Sequence, residues 1–87
     1  MSASGGAGAV TIQGFAYAPA SLNVKAGQKV TWDNADWVTH TVTADAGAFD
    51  SNDLASGASF SSTFRKAGSY ACHCEIHSSM HGTIVVW

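Results

Sequence analysis

Charge is scarce in this chain of 87 residues: only 11% are Asp, Glu, Lys or Arg, against 46% hydrophobic residues. Its four cations, Lys25, Lys29, Arg65 and Lys66, form no basic stripe, which argues against nucleic acid as a partner. A net charge of −2 gives no field that would steer a strongly charged partner, so association should rest on neutral patches. Long apolar runs are also missing. Nothing approaches the roughly 18 to 20 residues needed to cross a bilayer, and the N-terminus lacks the basic and apolar regions of a signal peptide. The sequence therefore reads as soluble, with no membrane span. Cysteine is limited to Cys72 and Cys74. In an extended strand, residues two apart lie roughly 7 Å from each other, at or past the limit of disulfide geometry. That spacing argues against a bridge between them, and the pair says little about redox compartment.

What is present makes one small domain with a single core, marginal enough that a bound metal would help it. Residues 1–8 read as a flexible linker or the remnant of a removed tether or export signal, and residues 9–87 as the domain. The apolar period is two, not 3.6. Leu22 and Val24, Val30 and Trp32, His40 and Val42, Phe60 and Phe64, Tyr70 through Cys72 to Cys74, and Ile84 and Val86 each mark one face of a strand. Turn signals stand between them at Ala18-Pro19, Ala26-Gly27, Asp33-Asn34, Ser56-Gly57 and Ala67-Gly68. The spacing predicts an all-β sandwich or small barrel, with Asp45 to Ala55 as a loop or short helical turn.

The chemistry concentrates in one stretch. The segment YACHCEIHSSMHG, from Tyr70 to Gly82, holds both cysteines, His73, His77, His81 and Met80. Within it, Cys74-x-x-His77-x-x-Met80 offers a thiolate, an imidazole and a thioether where a strand runs into a turn, so that all three can face one point. A further ligand has to come from elsewhere, and His40 in WVTHTV is the best placed. Two imidazoles and a thiolate with a weak thioether suit copper cycling between Cu(I) and Cu(II). Structural zinc sites are closed with Cys and His and have no use for a thioether. Taken singly, each residue has a plainer reading, since free cysteine and methionine are common core fillers.

In FAYAPASLNVKAGQKVTWDN, HTVTADAGAFDS and GASFSSTFRKAGSYACHCEIHSSMHGTIVV, the chain resembles a cupredoxin of the small plastocyanin-like group. The resemblance covers nearly everything after Gly8. It implies a Greek-key β-sandwich of about eight strands and one blue, or type 1, copper ion. It also implies a monomer that passes single electrons between protein redox partners and is not an enzyme. Carried over position by position, His40, Cys74 and His77 would be the strong ligands and Met80 the long axial one. The Thr41 N–H would donate to the Cys74 sulfur, and His77 would be the electron exit, ringed by an apolar docking patch. Exported relatives imply a periplasmic or extracellular home, with a membrane tether in the full-length protein as one form of it.

Other residues leave alternatives open. Cys72 departs from the family, where a bulky residue stands; it reads as a buried thiol beneath the metal. Alternatively it marks a modified copper site, although Cys-x-Cys is shorter than the spacing of dinuclear purple sites. His73 should point outward as a solvated strand histidine, or as a remote electron-entry residue. His81 reads as a rim residue of the metal loop or a recruiter of stray metal. Trp37 is either a packing lid or part of an exposed docking patch. Asp33, Asp36, Asp45, Asp50, Asp53 and Glu75 form no evident acid/base pair, and most of them read as solvated loop charges. The alternative to electron transfer is a copper carrier or storage protein without a redox cycle. A copper oxidase would need several histidines beyond His73 and His81.

Overall fold

The computed structural model describes residues 7–77 and 79–87. They form eight strands: β1 (Ala7–Ile12), β2 (Tyr17–Ala18), β3 (Ser21–Val24), β4 (Gln28–Asn34), β5 (Thr43–Ala44), β6 (Ser59–Phe64), β7 (Gly68–His73) and β8 (His81–Val86). No helix occurs among the described residues. The strands make two sheets, ordered β2-β1-β4-β6 and β3-β8-β7-β5. The β1/β4 and β3/β8 pairs are parallel, the others antiparallel. Parallel neighbours cannot be joined by a tight hairpin, so the chain crosses between sheets, as β1 to β4 does by way of β3 in the opposite sheet.

The period-two pattern is the reason the sheets face each other. In β4, Val30, Trp32 and Asn34 point inward while Lys29 and Asp33 point out. Val10 and Ile12 of β1, Phe64 of β6, Val24 of β3, Cys72 of β7, and Ile84 and Val86 of β8 meet them in one core. Trp32 sits at its centre, 5.5 Å from Phe49, 5.7 Å from Phe60 and 6.3 Å from Phe64 between ring centroids. Burying side chains of this size contributes roughly 1.5 to 3 kcal/mol each.

Two sequence expectations need correction. Asp33-Asn34 is no turn: both residues belong to β4, paired with β1 on one side and leading inward at Asn34. Ala7 and Gly8, assigned to the linker, pair with Lys29 and Val30 inside β1, while the rest of that assignment, residues 1–6, lies outside the described residues. A Cβ at Gly8 would sit 2.6 Å from Leu22 Cδ2, so this glycine lets β1 approach β3 closely. The segment from Asp45 to Ala55 is a loop, but not a loose one. Phe49 and Leu54 are buried in it, and isolated bridges join Leu54 to His40 and Asp50 to Thr43.

Ile12, Asn34, His73 and His81 mark the upper end of the sandwich; Gln28, Phe64, Gly68 and Val86 mark the lower end. At the upper end Asn34 organises the loop that follows β4. Its side-chain amide donates to the carbonyls of Val38 and Leu54 at 2.9 Å, and its Oδ1 accepts the N–H of Asp36 at 3.0 Å. Asn34→Ala would leave buried polar groups unpaired and should cost roughly 2 to 3 kcal/mol. Urea unfolding of the metal-free protein checks this; an unchanged midpoint would show that the amide does not hold the loop.

Candidate metal centre

His40 follows the Asn34-organised loop and is locked by reciprocal backbone bonds with Leu54, N–H to O at 3.1 Å one way and 2.7 Å the other. Cys74 lies one residue beyond β7, on the same inward face as Cys72. The connection from Cys74 to Met80 closes on itself: Met80 N–H donates to the His77 carbonyl at 2.9 Å, and Cys74 N–H to the Met80 carbonyl at 3.2 Å. Met80 is buried at the end of that loop. His40 and Cys74 are fully enclosed, whereas His77 is partly open to solvent.

These placements bring three donor atoms together. Nδ1 of His40 lies 3.1 Å from Nδ1 of His77, and Cys74 Sγ lies 3.8 and 3.7 Å from the two nitrogens. One point is equidistant from all three at about 2.1 Å, close to the roughly 2.0 to 2.3 Å of metal bonds to imidazole and thiolate. The chemistry of the donors fits as well. Nε2 of His40 faces Asp36 Oδ2 at 2.7 Å, and a carboxylate there accepts the Nε2 proton. Nδ1 is thereby left with its lone pair aimed at the triangle, as a metal ligand requires. Two soft or borderline donor types with a buried thioether on the same loop suit copper.

Asp36 is itself positioned by the turn after β1. Gly14 N–H donates to Oδ1 at 2.9 Å and Phe15 N–H to Oδ2 at 3.0 Å. Both residues have positive φ, 63° and 60°, which turns successive N–H groups toward the carboxylate. The Phe15 N–H, opposed by burial and helped by Gly14 and His40, holds the Asp36 carboxyl below its ordinary range. The same turn sets the Phe15 ring edge-on to both imidazoles, 4.7 Å from His77 and 5.3 Å from His40.

Burial alone would push the Cys74 thiol up. The N–H of Thr41, the His40 ring, and the N–H and ring of His77 outweigh it and bring the thiol down to about 6. Thr41 N–H reaches Cys74 Sγ at 3.3 Å. Thr41 is held in turn by Tyr17, whose hydroxyl donates to the Thr41 carbonyl at 2.7 Å, and by Glu75, whose N–H donates to Thr41 Oγ1 at 2.8 Å.

A model of the cupredoxin-like domain matches residues 3–86. The chain belongs to that family. An amicyanin of Paracoccus denitrificans is 36% identical over 86 residues, an alignment covering 93% of this chain and 66% of that protein. A plastocyanin of Scenedesmus fuscus is 36% identical over 83 residues, covering 80% of this chain and 85% of that one. The solved Cu(I) form of a mutant amicyanin superposes with a TM-score of 0.88 at 33% identity, covering 99% of this chain and 87% of the other.

Around the triangle of this cupredoxin, the remaining candidates separate. Cys72 lies outside the donor cluster, packed beneath Gly82, and both cysteines are free thiols. Burial first, then the Asp45 charge, pushes its thiol up to about 11 against the Gly82 N–H. His73 is not a simply solvated histidine: Asp45 faces its Nδ1 at 2.6 Å and Glu75 its Nε2 at 2.9 Å. Those two bonds, Asp45 first, raise its pKa. His81 is exposed and lies opposite His73 in the β7/β8 register, outside the donor cluster. Trp37 is 87% exposed, which removes the packing-lid reading. Among the six acidic residues Asp36 is the exception to the solvated reading, being buried; Asp45 and Glu75 are exposed, though they bracket His73. Asp36 stands four residues before His40, a spacing that could have flagged it; for Phe15 no local signal exists.

The thiol shift gives a pH dependence. Because the folded pKa of Cys74 lies below its ordinary value of 9.0, its thiolate adds stability that is fully present above about 9 and disappears as pH falls through about 6. In the metal-free Cys72→Ser variant, thiolate absorbance near 240 nm should titrate around pH 6. A midpoint at 8.5 or above would contradict the site's electrostatics.

Proposed function

We propose that this cupredoxin is a mononuclear type 1 copper protein that passes single electrons between protein redox partners. The observation that carries this is the buried triangle of His40 Nδ1, Cys74 Sγ and His77 Nδ1 with Met80 on the same loop. His40, Cys74 and His77 would hold the ion, and Met80 would add a weaker thioether donor. Copper bound there would supply a one-electron Cu(I)/Cu(II) couple.

The chain's own residues do the rest. Leu54 and Asp36 fix the His40 ring from behind, and the closed Cys74-to-Met80 loop fixes the other donors, so little has to rearrange when the charge at the site changes. The Thr41 N–H stabilises the more electron-rich thiolate and raises the potential. His77 is the ligand nearest solvent and serves as the electron exit. Exposed Phe15, beside its ring, and exposed Ile76, its chain neighbour, give a partner an apolar landing surface, which Trp37 extends. The protein acts as a monomer in the periplasm or another extracytoplasmic space, and among the described residues no helix is long and apolar enough to cross a membrane. We assign no catalytic step. A second copper would have to draw on His73 and His81, and both nitrogens of His73 face carboxylates. The copper-carrier alternative is disfavoured by the complete burial of His40 and Cys74, which impedes release.

One equivalent of Cu(II) added to metal-free protein should give an intense visible thiolate-to-copper band and a narrow copper hyperfine splitting. Cys74→Ala should abolish both, and Cys72→Ser should leave stoichiometry and colour unchanged. A delocalised seven-line signal would bring Cys72 in as a bridging ligand, and a colourless protein that prefers zinc would sink the electron-transfer reading. Asp36→Asn weakens the bond that orients His40 and should lower copper affinity about 10- to 100-fold in chelator competition. Unaltered affinity would mean that the Leu54 bridge alone fixes the ring.

A further inference from the structure

The few charges of this chain are sorted by the fold in a way the sequence does not show. All four cations lie at the lower end. Lys25 stands in the β3–β4 turn, Lys29 is the second residue of β4, and Arg65 and Lys66 follow β6. The Gly27 N–H bond to the Phe64 carbonyl, 2.6 Å, draws the two turns together. All four side chains are exposed, and none is ion-paired with a described carboxylate.

The six carboxylates are elsewhere. Asp33 and Asp36 stand at the upper end of β4, Glu75 follows β7 there, Asp45 reaches up to His73, and Asp50 and Asp53 belong to the loop that straps His40. At physiological salt the screening length is about 8 Å, shorter than the roughly 13 Å rise from Lys29 to Asp33 along β4. Each end therefore acts on its surroundings by itself, and the net charge of −2 describes neither. This corrects the expectation that nothing in the chain steers a charged partner.

An aromatic side chain accompanies the cations. Trp87 is 65% exposed just past β8, and Lys25 Nζ lies 5.1 Å from its ring centroid. At the same end, Arg65 and Lys66 border a cleft of about 240 Å³ lined by Phe49, Phe64 and Tyr70. The chain also enters β1 here, with Ala7 paired to Lys29. Unpaired cations that share one end of the sandwich with an exposed tryptophan match the headgroup region of a bilayer, where Trp settles at the interface and Lys and Arg extend to phosphates. A soluble polyanion would use the charges but not the ring.

We propose that the lower end docks on an anionic phospholipid surface and leaves the metal loop, at the opposite end, facing the aqueous space where partners arrive. The full chain, copper-loaded and metal-free, is sedimented with phosphatidylglycerol/phosphatidylcholine vesicles and with pure phosphatidylcholine vesicles at 50 and 500 mM NaCl. Binding should occur only with the anionic vesicles at low salt, to the same extent with and without copper. Each of Lys25→Gln, Lys29→Gln and Arg65→Gln should weaken it roughly fivefold. The vesicle-induced blue shift in tryptophan emission should survive in Trp37→Phe and vanish in Trp87→Phe. No sedimentation at 50 mM NaCl, equal sedimentation with neutral vesicles, or a shift that follows Trp37 would each overturn the proposal. Independence from copper keeps its failure separate from any failure of the copper reading.

Discussion

The carboxylate of Asp36 receives N–H groups from Gly14 and Phe15 and takes up Nε2 of His40, so one buried negative charge ties the β1–β2 turn to the metal triangle. A buried charge is stable only when its acceptor sites are filled, and here every partner is a fixed donor. The consequences run outward. His40 presents Nδ1 and not Nε2 to the centre. The turn that supplies the donors also lays Phe15 against both imidazoles, and the β4 loop is pinned from the other side by Asn34 and Leu54.

The second support is the sandwich beneath. Trp32 and its aromatic neighbours fix the separation of the two sheets, and β7 and β8 frame the loop that carries Cys74, His77 and Met80. Two sequence-distant segments therefore meet at a set distance before any ion arrives. Such a frame resists the rearrangement that accompanies a change in copper oxidation state, and that resistance suits an electron relay. The opposite end of the same sandwich collects the cations, so the two ends of one small domain are chemically unlike.

Strand period and ligand types were legible because they are local. Val30 and Trp32 face inward as alternation demands, and Cys74, His77 and Met80 share a loop short enough to converge. Cys72 reads correctly as a buried thiol for the same reason. Phe49 and Leu54 escaped because the segment between β5 and β6 has no period; its apolar residues are recruited singly by the core. Asp36 resembled a solvated loop charge because its donors, Gly14 and Phe15, are more than twenty positions away. The contact of Asp45 with His73 was hidden for the same reason, since only the β5/β7 pairing sets the two side by side.

The sequence by itself determined the all-β alternation, the soft donor set on the Cys74-to-Met80 loop and the family to which the chain belongs. Tertiary structure decided which nitrogen of His40 faces the centre, how far the thiol of Cys74 is lowered, that Trp37 stands in solvent, and that the cations share one end. The physical reason is that hydrogen bonding and electrostatics depend on distance in space. A two-sheet fold with parallel crossovers makes neighbours of residues whose separation along the chain carries no trace of their contact.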